Sequence, residues 1–441
     1  MQEAEPTSDT TPVGRLCPVS GSERYASLDT LRGIAVLGIL VMNIYGFAMP
    51  FIAYMNPFAW GGTEPWNVGT WFFTHLFFDQ KFMTIFSILF GAGIVLMSDR
   101  AEKRSRPFAG AFYRRSVWLL LLGAAHAYLI WFGDILFFYA AVGMLAFFFR
   151  RRSPKALIII ACCALPIAPL FSFAGGVYMA DLKERAESYE LLLEAGDTLT
   201  EEQQEAVEEW DEARGFMIPG EEELNADIEA YTGSYGEIVA HRAGDVLEMQ
   251  IQGTLFFMIW RVGGLMLIGM ALMKLGVLTA ERENGFYKRM MLVGYGLGLP
   301  ITIFSAANLH ANDFDSLYIF TIGSIPNYVG SILMALGHIA LVMLIVRTGA
   351  LASLMRRFAA VGRMALSNYL AHSLILTTVF YGYGLGLYAE IPRLAQMGFV
   401  AAVIGLQLYW SPWWLARFRF GPFEWLWRSL TYWQRQPMRA G

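Results

Sequence analysis

The sequence predicts an all-α polytopic membrane protein of about ten transmembrane helices, with an acidic, partly helical insert on the outer side. Three observations carry this. Of 441 residues, 56 per cent are hydrophobic and 16 per cent charged, against about 25 per cent charged in an ordinary soluble domain. The mean hydropathy is +0.43, more apolar character than a water-soluble fold can hide, which excludes a soluble enzyme, a disordered scaffold and a collagen-like chain. Stretches apolar enough and, at about 17–25 residues, long enough to cross a bilayer recur along the chain. Finally, the net charge of −4 averages two unlike parts: residues 181–250 hold 21 acids and 4 bases, a net of −17, and the remainder carries +13.

In chain order, residues 1–28 are polar, contain Pro6, Pro12 and Pro18, and lack a basic region ahead of an early apolar core. A disordered cytoplasmic tail is expected there, without a cleavable signal. Ten spans follow, near 30–49, 71–98, 115–132, 134–150, 156–177, 253–277, 289–308, 323–346, 364–388 and 394–416. The second is long enough to begin as an interfacial helix or to tilt. The fourth is short, and Asp134 marks a tight turn before it. Residues 29–180 and 251–416 are read as two membrane bundles, and 417–441 as a basic cytoplasmic tail. Segments 99–115, 150–155, 281–289 and 347–363 are rich in Lys and Arg, whereas 50–70 and 309–322 contain neither. By the positive-inside rule both termini and every basic loop are cytoplasmic, and the acidic insert 181–250 is outside. Thr200 and Gln203 have capping-box spacing, so a helix is expected after them. Cys17, Cys162 and Cys163 build neither a disulfide framework nor a CxxC pair, and Cys162 and Cys163 are read as core residues.

Ionisable groups inside spans are expensive and mark function. His75 begins the second span, and Asp79, four residues on, is expected on the same helical face. A carboxylate so placed holds an imidazole in one tautomer, as a general base requires. Lys81 follows, about 9 Å deeper at helical rise. His126 sits near the outer end of the third span, with Asp134 just beyond it. Asn43 lies in the outer half of the first span, Arg261 inside the sixth, and His372 near the middle of the ninth. His338 is read as core packing, and His241 and His310 as solvated. At the inner ends, Asp29 and Arg32 are expected to pair. Arg114, Arg115, Arg363 and Arg428 supply guanidinium groups suited to phosphate. No P-loop or Rossmann glycine pattern occurs, and the absence of HxxxH and HExxH gives no reason to expect a metal.

Leu28-Asp-Thr-Leu-Arg-Gly33, followed by Val41-Met-Asn43, resembles the start of the transmembrane acyltransferase superfamily. Further blocks resemble the bacterial YeiB-like family: Lys81-Phe-Met-Thr-Ile-Phe-Ser-Ile-Leu-Phe-Gly-Ala-Gly93, His126 through Gly133-Asp-Ile-Leu136, Gly362-Arg-Met-Ala-Leu-Ser-Asn-Tyr369, Tyr381-Gly-Tyr-Gly-Leu-Gly386 and Gly421-Pro-Phe-Glu-Trp-Leu-Trp-Arg428. Together they span residues 28 to 428, nearly the whole chain. The resemblance implies a bacterial inner-membrane acyltransferase, distantly similar to heparan-α-glucosaminide N-acetyltransferase, which moves an acyl group from cytoplasmic acyl-CoA to an extracytoplasmic sugar. In that relative an Asn of the first span and a Trp-Phe-Phe-Lys-His stretch carry the active site; Asn43 and Trp71-Phe-Phe-Thr-His75 are similar. His126 is the feature more typical of YeiB-like proteins. His372 stands where the family is expected to have Gln, which argues against a required role.

The resulting expectation is a membrane acyltransferase using acyl-CoA as co-substrate and a sugar or lipid-linked glycan as acceptor. His126 or His75 takes the acceptor's proton, Asp134 or Asp79 orients that histidine, and Asn43 positions substrate or stabilises the oxyanion. Arg32, Arg114, Arg115 and Arg363 receive the CoA phosphates, and Lys81, Arg261 and Asn368 contact substrate. Membrane lipid and further copies of the chain are the other partners considered; nucleic acid is not. The alternative is a transporter or flippase using the same charged residues as a path, although the paired broken helices that would favour it are not visible.

Overall fold

Segments that cross lipid must satisfy every backbone N–H and C=O internally, so long apolar runs fold as helices. The computed structural model describes residues 25–105 and 108–439, and the described chain is helical apart from loops and one isolated bridge between Phe418 and Arg439. It begins with α1 (Ala26–Ala48), a single turn α2 (Ile52–Met55), α3 (Pro65–Phe77), α4 (Lys81–Lys103), α5 (Ala109–Leu129) and α6 (Leu136–Ala146). Next come α7 (Pro154–Ala164), α8 (Ile167–Glu194), α9 (Glu201–Met217), α10 (Glu221–Thr232) and α11 (Tyr235–Glu248), which passes through a wide π-helical stretch (Met249–Met258) into α12 (Ile259–Lys274). The chain ends with α13 (Asn284–Ala311), the turn α14 (Ser316–Tyr318), α15 (Ile325–Thr348), α16 (Ala352–Arg363), α17 (Ala365–Phe380), α18 (Arg393–Leu415) and α19 (Pro422–Tyr432).

Among the described residues, seven helical runs are long and apolar enough to cross a membrane by length and composition, and 136–149 and 365–380 are shorter apolar helices. With α5, each of the ten expected spans falls on a helix. Several details differ from the sequence reading, and the following bear on the site and its surroundings. The second span is broken: α3 ends at Phe77, the Asp79 N–H reaches back to the Thr74 carbonyl in a wide turn, and Gln80 adopts a left-handed φ of 60° before α4 begins. The ninth span stops at Phe380, because the aromatic and glycine-rich stretch after it docks on the insert instead of continuing in lipid. Cys162 and Cys163 are exposed on α7 rather than in the core; α7 is peripheral, and there an apolar side chain meets the surroundings instead of protein.

Helix crossings use small residues to bring backbones together. At the α1–α16 crossing, a Cβ on Gly33 would lie 1.9 Å from the Phe358 carbonyl oxygen, and one on Gly362 would lie 1.9 Å from that of Asp29. This brings the two backbones together next to Arg32 and Arg363.

The loops sort onto two ends of the bundle. At one end the Lys274 ammonium donates to the Arg152 carbonyl, at 2.8 Å, and Arg347 to that of Ala280, with α19 covering the start of α5. At the other, the insert docks. Arg242, only 1 per cent exposed, donates to the carbonyls of Tyr128 and Ile130 that end α5. The Gly382 N–H donates to the Tyr231 carbonyl, and Tyr231 stacks on Tyr388. The expected capping box is present, with the Thr200 hydroxyl accepting from the Gln203 N–H and the Gln203 side chain returning to Thr200 N. Arg393, fully buried, donates to the carbonyls of Ala53, Pro57 and Trp60 and so holds down the base-free loop at this end.

Candidate functional site

A cavity of about 270 Å³ opens at the basic end between α1, α4, α5, α6, α17 and α19. Five arginines line it, Arg32, Arg100, Arg115, Arg363 and Arg428, together with the carboxylates Asp29 and Glu424. Arg32 is bonded to Asp29 at 2.9 Å, as expected, and Arg115 lies over the Trp427 ring, 3.7 Å from its centroid. Glu424 is buried and caps α17, accepting from the Leu366 and Ser367 N–H groups at 2.7 and 3.1 Å and from the Ser367 hydroxyl. Farther in, the walls turn apolar, with Val36, Ile39, Phe86, Leu89, Phe90 and Leu119 among them, and two tyrosines, Tyr139 and Tyr369, stand at the inner part.

The lining residues fall on stripes of helical spacing, and these stripes continue beyond the cavity. On α1 the cavity residues Arg32, Val36 and Ile39 are followed by Asn43, which is half-buried. On α5, Arg115 and Leu119 are followed by Gly123 and His126; on α17, Leu366 and Tyr369 are followed by Ser373. The last two meet. The His126 ring, 1 per cent exposed, lies with Nδ1 2.8 Å from Asp134 Oδ1 and Nε2 2.8 Å from Ser373 Oγ. A carboxylate only accepts, so these partners assign the proton to Nδ1 and leave Nε2 as an acceptor for the serine hydroxyl. The second oxygen of Asp134 accepts from the Phe137 N–H at 2.7 Å and caps α6. Gly123 makes room for this turn: a Cβ there would lie 2.3 Å from Phe137 N and 2.8 Å from Asp134 Oδ2. Tyr369 joins the arrangement to the cavity. Its ring is 5.4 Å from that of His126, and its hydroxyl donates to the Gly133 carbonyl and accepts from the Ile135 N–H.

A second polar group lies along α4, α12 and α15. Asp79 accepts from the Tyr54 hydroxyl at 2.9 Å and from Asn327 Nδ2 at 2.7 Å, and sits 3.3 Å from His75 Nδ1. The expected His75–Asp79 contact thus exists, but across a helix break. The break also brings Lys81 back toward His75: its ammonium donates to the His75 carbonyl and to Asn327 Oδ1, at 2.7 and 2.8 Å. One turn on, Arg261 donates to Ser331 and lies over Tyr328. One turn further, the Ser87 hydroxyl is 3.0 Å from the Tyr139 hydroxyl, at the cavity wall. His75 stacks on Trp71, and among the described residues its Nε2 has no hydrogen-bond partner.

The remaining sequence candidates lie apart. Arg114 turns to α19, donating to the Thr431 carbonyl. Asn368 faces α18, bonded to Trp410, Ser411 and the Val361 carbonyl. His372 pairs with Gln407, and His338 packs between the Tyr295 hydroxyl and the Phe77 carbonyl. Sequence reasoning did not single out Ser373, Tyr369, Tyr139 or Arg100 as site residues. The four-residue spacing from Tyr369 to Ser373 was the available signal, and it gains meaning only once α5 is known to pack there.

These features define a multi-pass membrane protein with a deep cavity, basic at its mouth and apolar within, beside a buried histidine–carboxylate pair. Residues 272–434 match the family described as "Protein of unknown function (DUF418)". The chain is 32 per cent identical over 410 residues to the "Uncharacterized protein YeiB" of Escherichia coli (strain K12), covering 93 per cent of this chain and 96 per cent of that one. It is 31 per cent identical over 441 residues to "Uncharacterized protein YxaH" of Bacillus subtilis (strain 168), covering 96 and 98 per cent. The chain belongs to the YeiB family. No solved structure matches it.

Proposed function

We propose that this protein is an acyltransferase of the bacterial cytoplasmic membrane, taking an acyl group from acyl-CoA at its basic end and passing it to a sugar or lipid-linked glycan at the opposite end. One observation carries the reading: the cavity changes from an arginine-lined mouth to an apolar interior and reaches, through Tyr369, a histidine held in one tautomer by a carboxylate. The planar guanidinium of arginine suits the multiply charged phosphates of a nucleotide, while the apolar walls suit the pantetheine arm and acyl chain. His126 is the base, Asp134 its positioning residue, and Asn43, one turn past Ile39, a donor placed to steady the oxyanion. The resemblance of the Leu28–Gly33 and Asn43 blocks to the transmembrane acyltransferase superfamily supports the same assignment, since Arg32 of that block lines the cavity. In this orientation the basic end faces the cytoplasm and the insert lies outside.

The test uses purified protein in detergent with acetyl-, octanoyl- and palmitoyl-CoA. A ligand that binds the native state at a hundred times its Kd stabilises by about 2.7 kcal/mol, so a concentration-dependent rise in Tm and release of free CoA thiol are expected. Arg115→Gln and Arg363→Gln weaken both. No stabilisation and no thiol release at millimolar donor overturns the reading in favour of transport.

A further inference from the structure

We propose that the Ser373 hydroxyl is the nucleophile that first receives the acyl group, so that transfer runs through an acyl-serine intermediate. This rests on the acyl-transfer reading above. The residues belong to helices far apart in sequence, 247 positions from His126 to Ser373, yet Oγ lies 2.8 Å from Nε2 while Nδ1 of the same ring lies 2.8 Å from Asp134. This is the nucleophile–base–orienter relation that activates a serine at neutral pH.

Hydroxyl groups inside apolar helices commonly turn back to the carbonyl four residues earlier. Thr74, Ser87, Thr302 and Thr377 of this protein all do so. Ser373 instead gives its hydrogen to the imidazole, to which the Asp134 contact leaves only an acceptor lone pair. Its neighbour one turn earlier, Tyr369, lines the cavity. The other serine hydroxyl of this helix near the cavity, Ser367, is taken by Glu424. Ser373 is therefore the hydroxyl placed both next to the base and on the continuation of the cavity stripe.

In the first half-reaction Oγ attacks the thioester carbonyl carbon while its proton passes to His126 Nε2. The carbon–sulfur bond breaks, the proton moves on to sulfur, and the CoA thiol leaves. In the second, an acceptor hydroxyl or amine gives its proton to Nε2 and attacks the acyl-serine ester. The carbon–Oγ bond breaks and Oγ recovers a proton. No electron or proton is left over. The intermediate lets the donor step proceed without the acceptor, which suits a donor and acceptor held at opposite ends of the bundle.

The experiment follows from that independence. Full-length protein in detergent is mixed with radiolabelled acetyl-, octanoyl- or palmitoyl-CoA and no acceptor, then quenched in acid. A burst of about one CoA thiol per protein and one protein-bound acyl group on the peptide holding Ser373 are expected. Ser373→Ala abolishes the bound label and lowers turnover at least a hundredfold, with Tm near that of wild type. Ser373→Cys retains a label that neutral hydroxylamine now removes. Thiol release without bound label, label on another residue, or wild-type turnover by Ser373→Ala overturns the acyl-serine step and leaves acyl transfer standing. Absence of both donor binding and thiol release overturns the two together.

Discussion

Replacing Asp134 by asparagine separates the two roles that the structure gives this residue. One oxygen caps α6 through Phe137 N at 2.7 Å; the other holds His126 Nδ1 at 2.8 Å. Asparagine is nearly the same shape and keeps an acceptor for Phe137, but presents an N–H₂ group toward the ring. The imidazole then carries its proton on Nε2, where it donates to Ser373 and can no longer accept. The stability loss is that of a charge-assisted hydrogen bond weakened to a neutral one, about 1 kcal/mol, whereas Asp134→Ala leaves two buried donors unpaired and costs about 2–6 kcal/mol. Loss of the base lowers the rate about 10²–10⁴-fold. CoA-thiol release and thermal melts on wild type, Asp134→Asn and Asp134→Ala measure both effects. If Asp134→Asn melts like wild type and also turns over within threefold of it, the tautomer argument is wrong and Asp134 is a helix cap only.

Gly123→Ala drives a methyl group against Phe137 N and Asp134, so at least a tenfold loss of thiol release is expected, reversed in part by no substitution at the basic mouth; an unchanged rate would mean that the Asp134 turn moves freely. Glu424→Ala unpairs the Leu366 and Ser367 N–H groups and costs about 2–6 kcal/mol by thermal melt, with Glu424→Gln costing less. Burial pushes the Glu424 carboxyl above the usual carboxylate range despite its hydrogen bonds. A raised folded pKa favours the protonated acid, so its stabilising contribution is complete below about pH 4.3 and lost as pH rises through the raised value. The Tm difference between wild type and Glu424→Gln should change in that direction from pH 4.5 to 7.5. In a cysteine-free background, Trp60→Cys, Thr200→Cys and Asp315→Cys should be labelled from outside the cell and Arg104→Cys only after permeabilisation; labelling of Thr200→Cys only from inside reverses the proposed orientation.

Much of this architecture was legible because lipid imposes a simple rule: long apolar runs become helices, and basic loops collect at one end. The His126–Asp134 pair was legible too, being eight residues apart across a short turn. The His75–Asp79 pair was legible as a contact but not as a geometry, since helical spacing gives no sign that Gln80 turns left-handed. Arg114 and Arg115 are alike in type, and only the packing of α19 decides that one grips Thr431 while the other faces the cavity. Asn368 looks like a substrate group until α18 surrounds it with Trp410 and Ser411. Ser373 was hidden for the opposite reason, because a serine in an apolar helix is ordinary until another helix sets a histidine against it.

The two buried polar groups differ in how they connect to the cavity, and this decides which one is suited to chemistry. Asp79 already accepts from Tyr54 and Asn327, and Lys81 already has two acceptors. These bonds hold the helix break in place; neither Asp79, Lys81 and His75 nor His126 lines the cavity, but Tyr369 of its wall packs against the His126 ring. At His126 the Asp134 bond fixes the ring, while the Ser373 bond is one that an acyl donor or acceptor can exchange. His75→Ala should therefore stay within about tenfold of wild-type thiol release, the scale of one lost polar contact. His126→Ala should lose about 10²–10⁴-fold. Equal losses would mean that the Asp79 group reaches the reacting centre, and full activity of His126→Ala in a folded protein would remove the base from the mechanism.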